Sequence, residues 1–207
     1  MRSGLGPRRW IPGGLPLAGA GQRIGLLGGS FNPAHDGHLH VSRMARARLG
    51  LDQVWWLVSP QNPLKSRRDV APLADRLSGA RRAARSGIIR VTALEAAVGA
   101  RYTVETVRFL TGRFRATRFV WLMGADNLAI FDRWKCWRDI AGLVPLAVID
   151  RPGAGLAAVA SPAARALARA RIDEADARRL ARARPPAWVL LHGPLSALSS
   201  TAIRTAA

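Results

Sequence analysis

Three of the chain's four histidines lie close together in one short segment. The segment, "GGSFNPAHDGHLH", covers residues 28–40 and follows an apolar run. Gly28 and Gly29 allow a sharp turn and a close approach of a ligand to the backbone, and Ser30 adds a hydroxyl donor. These features favour a phosphate-binding loop over a solvated one, although the GxxxxGK[ST] spacing of a P-loop and the full GxGxxG spacing of a dinucleotide fingerprint are both missing.

Two of these histidines are spaced to act together at the start of a helix. If a helix begins near Gly37, His35 precedes it and His38 lies in its first turn, where unpaired N–H groups and the helix dipole favour an anion. Two imidazole donors there could stabilise charge that develops on a phosphoryl group. Metal binding is the alternative use of paired histidines, but no acidic or cysteine partner at ligand spacing completes a zinc set nearby. We therefore expect no metal held by the protein's own side chains.

The composition limits the class of protein. The 207 residues, 49% of them hydrophobic, suffice for one domain around one core. No apolar run reaches the roughly 18 residues of a membrane span, and the single cysteine, Cys136, cannot form an internal disulfide. We expect residues 23–207 to form one cytoplasmic domain with no membrane partner. Residues 1–22, broken by Gly and Pro, are expected to form a flexible extension.

The net charge of +19 raises the question of nucleic acid as a partner. Clustered Arg and Lys would neutralise phosphates and release counterions. Here the arginines are spread from Arg2 to Arg204, and many lie in Ala/Arg segments that are typical of solvated helices. We interpret the charge as a compositional bias and expect no nucleic-acid partner, with a nucleic-acid binder as the rival hypothesis.

Short apolar runs alternate with helical patterns along the chain. The runs show little alternation of polarity, which favours strands buried on both faces, and they lie at 23–29, 53–59, 88–94, 117–124, 144–150 and 187–193. Amphipathic or Ala-rich segments predict helices at about 37–49, 72–86, 103–111, 137–142 and 161–183, with a loop at 152–162. This order predicts an α/β fold with a parallel sheet, whose ligands bind beyond the carboxyl ends of the strands. The histidine loop follows the first strand.

A second candidate anion site lies near the C-terminus, in the segment "LSSTAIR" at 198–204. Ser199 or Ser200 is a good N-cap, and the backbone N–H groups that follow, together with Arg204, could bind an anion. An ordinary capped helix is the alternative.

Other candidate residues near the expected strand ends have more than one interpretation. Asp126 fits either a nucleotide contact or a helix cap. Trp55, Trp56 and Trp121 lie inside apolar runs and are interpreted as core residues. The sequence does not decide between a core role and a binding role for Trp137.

The motifs together resemble those of a known family. "GGSFNPAHDGHL" resembles the GG[ST]F[DN]PxHxGHL signature of nucleotidylyltransferases, and residues 23–206 are similar to the nicotinate-nucleotide adenylyltransferases within them. Further segments stand in that family's order and spacing: "SPQNPLK" (59–65), "RYTVET" (101–106), "MGADNLAIFDRWKCWRDI" (123–140), "IDRPG" (149–153) and "LSSTAIR". Glu105 stands where the family more often has Asp, and the first 22 residues have no counterpart.

The resemblance implies a single-domain, Rossmann-like, doubly wound sheet and transfer of AMP from ATP to nicotinate mononucleotide. The phosphate of the mononucleotide would attack the α-phosphorus of ATP and pyrophosphate would leave, with Mg²⁺ accompanying ATP and no protein nucleophile. The catalytic residues that the resemblance implies are His38, His35, Lys65 and Arg204.

The same resemblance implies binding residues for each substrate. ATP would contact Gly28, Gly29, Ser30, Phe31, His35, His38, Gly124, Asp126, Ser199, Ser200, Thr201 and Arg204. Nicotinate mononucleotide would contact Asn62, Lys65, Thr103 and Trp134. Its pyridine ring would stack on Trp134, and its carboxylate would be received near Thr103.

Overall fold

One parallel sheet organises the chain. The structure is a computed structural model that describes residues 15–60, 70–84, 87–150 and 155–193. Its strands are β1 (Arg23–Gly29), β2 (Gln53–Val58), β3 (Ile89–Thr92), β4 (Arg118–Gly124), β5 (Leu146–Ile149) and β6 (Trp188–Leu191). Each strand lies within one of the six apolar runs of the sequence, so the strand predictions are confirmed.

The strand order creates a switch point in the sheet. The order is β3-β2-β1-β4-β5-β6, and every neighbouring pair is parallel. The chain therefore proceeds from β1 towards one edge, returns at β4 and proceeds towards the other edge. This arrangement confirms the doubly wound α/β fold, and such sheets bind ligands in the crevice where the direction reverses, here between β1 and β4.

Helices connect the strands. They are α1 (Asp36–Leu49), α2 (Leu73–Ala83), α3 (Leu94–Val98), α4 (Thr103–Arg113), α5 (Ala125–Leu128), α6 (Trp137–Leu143), α7 (Gly155–Val159) and α8 (Pro162–Ala166). The sequence predicted α1, α2, α4 and α6 but missed the short α3 and α5, and it assigned the residues of α7 to a loop. No helix in the described part of the chain is long and apolar enough to cross a membrane.

The single long helix expected over 161–183 is wrong. After α8 the chain forms two 3₁₀ segments, Ala168–Ala170 and Glu174–Arg182. Between them the N–H of Ile172 donates to the carbonyl of Trp188, 2.7 Å away. Pairing beside β6 thus interrupts the helix despite the high helix propensity of alanine and arginine.

The sheet separates two apolar cores, and the tryptophans lie on both sides. Trp55 and Trp121 belong to one core and Trp56 to the other, and all three are buried, which confirms their interpretation as core residues. Trp137, which the sequence left open, is also buried and packs against Phe131, with ring centroids 5.8 Å apart. Neighbouring positions of a strand face opposite cores because side chains alternate along it.

Residues 15–22 contact the domain, although the sequence assigned them to a flexible extension. Leu15 packs against the core that contains Trp121. The N–H of Gly21 donates to the carbonyl of Ala116 at 2.7 Å. Contacts between the N-terminal segment and the rest of the domain therefore begin before residue 23.

Candidate active site

The loop after β1 turns sharply at one buried aromatic residue. Phe31 is fully buried and has a φ of 47°, in the left-handed region. The neighbouring Asn32 is also buried, and its Oδ1 accepts the N–H of Ala71 at 3.2 Å. After this turn α1 begins at Asp36 with His35 as its N-cap, which confirms the helix start predicted near Gly37.

The two histidines hold each other through a reciprocal cap. The N–H of Gly37 donates to Nδ1 of His35 at 3.1 Å, and the N–H of His35 donates to Nδ1 of His38 at 3.2 Å. In this capping box the imidazoles take the positions that Ser/Thr and Glu usually occupy. Because both Nδ1 atoms accept, each neutral ring carries its proton on Nε2, so that each imidazole offers a donor on its far edge.

Aromatic packing fixes the orientation of His38. Its ring centroid lies 4.5 Å from that of Phe31 and 4.0 Å from that of His35. Trp56 in turn stacks on Phe31 at 5.0 Å. Ser42 Oγ donates to the carbonyl of His38 and accepts the indole N–H of Trp56, both at 2.8 Å. The position of His38 is therefore set by contacts that reach back to β2.

This arrangement is suited to an anion. The helix N-terminus supplies backbone N–H groups and the positive end of the helix dipole. The two imidazoles add donors beside it. In the ranges that the structure describes, no group of three or more His, Cys, Asp and Glu residues is placed to hold a metal ion.

Neither glycine of the loop makes the sharp turn predicted for them, and only Gly28 is required by packing. Both lie at the end of β1, and the turn is made by Phe31 instead. A Cβ atom on Gly28 would lie only 2.8 Å from Cη2 of Trp121, whereas one on Gly29 would lie at an ordinary 3.4 Å from Phe31. Gly28 is needed because the Trp121 ring fills the space beside it.

The loop after β4 lies at the other side of the switch point. Gly124 is the last residue of β4 and the N-cap of α5. Asp126 is exposed in the first turn of α5, where an acidic residue complements the helix dipole. β1 and β4 are parallel neighbours, so this loop and the histidine loop start side by side at the carboxyl ends of the strands.

The segment "RYTVET" forms a well-capped helix start. Thr103 is the first residue of α4 and is half-buried. The Glu105 carboxylate accepts the backbone N–H of Arg101 at 2.7 Å and that of Tyr102 at 3.2 Å, and these bonds lower the pKa of Glu105. Glutamate at this position, where the resembled family more often has aspartate, thus caps the helix.

Trp134 is held by edge contacts and lies near the start of α4. Its half-buried ring meets Phe131 at 5.4 Å and Trp121 at 6.3 Å between centroids, both edge-to-face. The amino group of the next residue, Lys135, lies 4.2 Å from the centroid of the Tyr102 ring, a cation–π contact. The loop that carries Trp134 therefore touches the helix start that carries Thr103.

A buried carboxyl group, which was not predicted from the sequence, lies behind these segments. Glu95 in α3 is 9% exposed, and Thr106 Oγ1 donates to its Oε1 at 3.2 Å. Burial raises the pKa of Glu95 to about 7, against the opposing effect of hydrogen bonds from Ser59 and Thr106. The N–H of Ser59 also donates to the carbonyl of Gly29 at 3.0 Å. Glu95 therefore connects α4 to the ends of β1 and β2.

A buried arginine was also missed. Arg76 in α2 is only 4% exposed, and it was not among the candidate residues named from the sequence. The signal was present, because Arg76 follows Leu73 by three residues and precedes Ala80 by four, which places it on the apolar face of the helix.

Several predicted residues lie outside the part of the chain that the structure describes. They are Asn62, Lys65, Ser199, Ser200, Thr201 and Arg204. Their roles stay predictions from the motifs.

The fold and the histidine pair define a class: a doubly wound α/β protein with a candidate anion site at its switch point. The Cytidylyltransferase-like family model matches residues 26–206. The chain belongs to this family of nucleotidyltransferases and, within it, to the nicotinate-nucleotide adenylyltransferases, as the following similarities show.

Curated relatives cover nearly the whole chain. It is 55% identical over 183 residues to a probable nicotinate-nucleotide adenylyltransferase of Rhizobium meliloti, covering 88% of this chain and 97% of the relative. It is 58% identical over 183 residues to one of Methylorubrum extorquens, covering 88% of this chain and 99% of the relative. The family expected from the motifs is therefore confirmed.

Solved structures agree on the fold. The nicotinic acid mononucleotide adenylyltransferase of Plasmodium falciparum, complexed with NaAD, has a TM-score of 0.62 at 15% identity, covering 89% of this chain and 83% of that one. At this identity the similarity supports the fold alone.

The contact between Gly28 and Trp121 predicts a stability difference between two neighbouring glycines. Gly28→Ala should lower the free energy of unfolding by about 1–3 kcal/mol, because the new methyl group overpacks the rigid indole. Gly29→Ala, the matched control, should change it by no more than about 0.5 kcal/mol. Urea unfolding followed by tryptophan fluorescence measures both, and equal effects would contradict this account of Gly28.

Glu95 predicts a pH-dependent stability. Its pKa of about 7 in the folded protein exceeds the ordinary 4.5, so the folded state binds more protons between these values. Stability should therefore fall as the pH rises through this window and level off above it. Glu95→Gln keeps an acceptor but cannot ionise, so its stability relative to the wild type should improve from pH 4.5 to pH 8 by up to about 3 kcal/mol. Urea unfolding across the range tests this, and a difference that does not vary with pH would refute it.

Proposed function

We propose that this protein transfers AMP from ATP to nicotinate mononucleotide, forming nicotinate adenine dinucleotide and pyrophosphate in NAD biosynthesis. The observation that carries the proposal is the capped His35–His38 pair at the switch point of the sheet. It occurs in a chain that is 55–58% identical to probable nicotinate-nucleotide adenylyltransferases over most of its length.

The reaction is a direct displacement. A phosphate oxygen of the mononucleotide attacks the α-phosphorus of ATP, and the bond from that phosphorus to the pyrophosphate oxygen breaks. Negative charge grows on the leaving pyrophosphate, so donors that strengthen with this charge accelerate the step. We assign His38 to this role through its Nε2–H and His35 to a phosphate contact beside it. No protein nucleophile is required.

The remaining assignments follow the two loops at the switch point. ATP is proposed to contact the glycines, Ser30 and Phe31 after β1, Gly124 and Asp126 after β4, and the predicted residues Lys65, Ser199, Ser200, Thr201 and Arg204. Nicotinate mononucleotide is proposed to stack on Trp134 and to contact Thr103, Asn62 and Lys65. The contact between Lys135 and Tyr102 supports a common acceptor site for Trp134 and Thr103.

Mg²⁺ enters this proposal with the ATP substrate. The ion keeps several water ligands and is commonly held by substrate phosphates with one or two carboxylates. It would partly neutralise the triphosphate, while the histidines and the helix N-terminus bind the phosphate oxygens.

Substrate choice is tested with an acceptor panel. With ATP and Mg²⁺, pyrophosphate and the dinucleotide should form with nicotinate mononucleotide. Turnover of pantetheine phosphate, with none of nicotinate mononucleotide, would overturn the assignment. RNA binding with a steep salt dependence and no ATP turnover would favour the nucleic-acid hypothesis instead.

The catalytic role of His38 is tested by a substitution that keeps the cap. In His38→Gln the amide oxygen can still accept the N–H of His35, as Gln does in a capping box. The imidazole N–H, which ring packing holds in place, is replaced by an amide N–H on a flexible side chain without that packing. We expect kcat to fall about 10²- to 10³-fold with little change in ATP affinity.

His40 provides the matched control. Its Nε2 is buried without a hydrogen-bond partner among the described residues, so His40→Gln should leave kcat within about twofold of the wild type. Steady-state kinetics, calorimetric ATP binding and thermal midpoints are measured for both variants. Near-normal turnover of folded His38→Gln would refute the role of this side chain.

A further inference from the structure

Arg76 joins three separate segments through four hydrogen bonds. Its Nη1 donates to the carbonyls of Ser30 and Ser59, each at 2.7 Å. Its Nη2 donates to the carbonyl of Pro60 at 3.0 Å, and its Nε donates to that of Ala71 at 2.8 Å. Four of the five guanidinium N–H donors are thus used by backbone carbonyls.

The carbonyls belong to the edge of the sheet where the site lies. Ser30 directly follows β1, Ser59 and Pro60 follow β2, and Ala71 precedes α2. Ala71 is held twice, because its N–H also donates to Oδ1 of Asn32. Arg76 therefore fixes the start of the histidine loop against the end of the neighbouring strand.

Burying a guanidinium at this position costs desolvation free energy. All four of these acceptors are neutral carbonyls, and desolvation lowers the pKa of Arg76. A well-packed apolar side chain often gives equal or greater stability than a buried charge. What an apolar residue cannot supply is a rigid planar fork that sets the positions of four carbonyls at once.

The hydrogen bonds of Arg76 are connected to His38 through Ser30 and Phe31. Ser30 is adjacent to Phe31, whose left-handed backbone directs the chain into α1 and whose ring packs on that of His38 at 4.5 Å. A shift of Ser30 would therefore move the surface on which His38 lies.

We propose that Arg76 is a positioning residue of the reaction. It holds the loop after β1 in the position that lets His35 and His38 contact the phosphates of ATP. It acts through the backbone and Phe31 and contacts no substrate. This inference rests on the proposed role of His38.

Arg76→Lys tests the proposal because it keeps the charge but places all its donors on one nitrogen. We expect kcat to fall by about 10- to 100-fold with a much smaller change in KM for ATP, since a small misplacement of catalytic groups is costly. Arg81→Lys is the matched control: Arg81 is exposed on the same helix, and its kinetics should stay within about twofold of the wild type. Thermal midpoints of both variants ensure that the assays use folded protein.

A folded Arg76→Lys with wild-type kcat and KM would overturn the proposal. So would an equal loss of activity in Arg81→Lys. If Arg76→Lys reduces turnover while His38→Gln does not, the proposed role of His38 fails, and this inference fails with it. If His38→Gln loses turnover and folded Arg76→Lys does not, only this inference fails.

The wild-type protein provides a measurement that does not depend on a variant. Hydrogen exchange of the Arg76 guanidinium protons, followed by NMR, should slow several-fold when a non-hydrolysable ATP analogue saturates the protein, because binding and loop positioning are thermodynamically linked. Exchange that the analogue leaves unchanged would overturn the proposal, even if Arg76→Lys does not fold.

Discussion

Parallel pairing of β1 with both β2 and β4 is the constraint on which the candidate site depends. The register aligns Leu26 with Trp55 on one side and with Trp121 on the other. The loops that leave these strands therefore start at the same edge of the sheet. The N–H of Ser59, which donates to the carbonyl of Gly29, extends the pairing one step beyond β2. The histidine pair is consequently built on the central strands of the sheet.

Ser59 shows how the polar groups behind the site are satisfied. Its N–H donates to the carbonyl of Gly29, and its carbonyl accepts a hydrogen bond from the Arg76 guanidinium. Its side chain forms a hydrogen bond with the Glu95 carboxyl group. One buried cation and one buried carboxyl thus approach the same residue from different helices. A buried polar network of this kind is favourable only when its members are partnered, which ties α2 and α3 to the loops that carry the site.

The sequence predicted those features that depend on local pattern. Apolar runs located each strand in the described part of the chain, and the helical pattern beginning near Gly37 located the start of α1. Features that depend on tertiary contacts were missed or assigned the wrong cause: pairing of Ile172 with Trp188 interrupts the expected helix. Gly28 makes room for Trp121, which comes from a distant part of the chain. A sequence pattern can mark a position as apolar or small, but it does not identify the atoms that the position will meet.

Trp121 gives the fold a physical link between the two proposed substrate sites. Its ring packs against Gly28 at the end of β1, beside the proposed phosphate site, and meets the edge of Trp134 on the proposed acceptor side. Trp121 is 2% exposed and belongs to a central strand. The same strand therefore holds both contacts in place. Direct displacement at phosphorus depends mainly on the relative placement of the attacking and leaving groups. A shared tryptophan in β4 is therefore a physical means by which this sheet can align two substrates without a covalent intermediate.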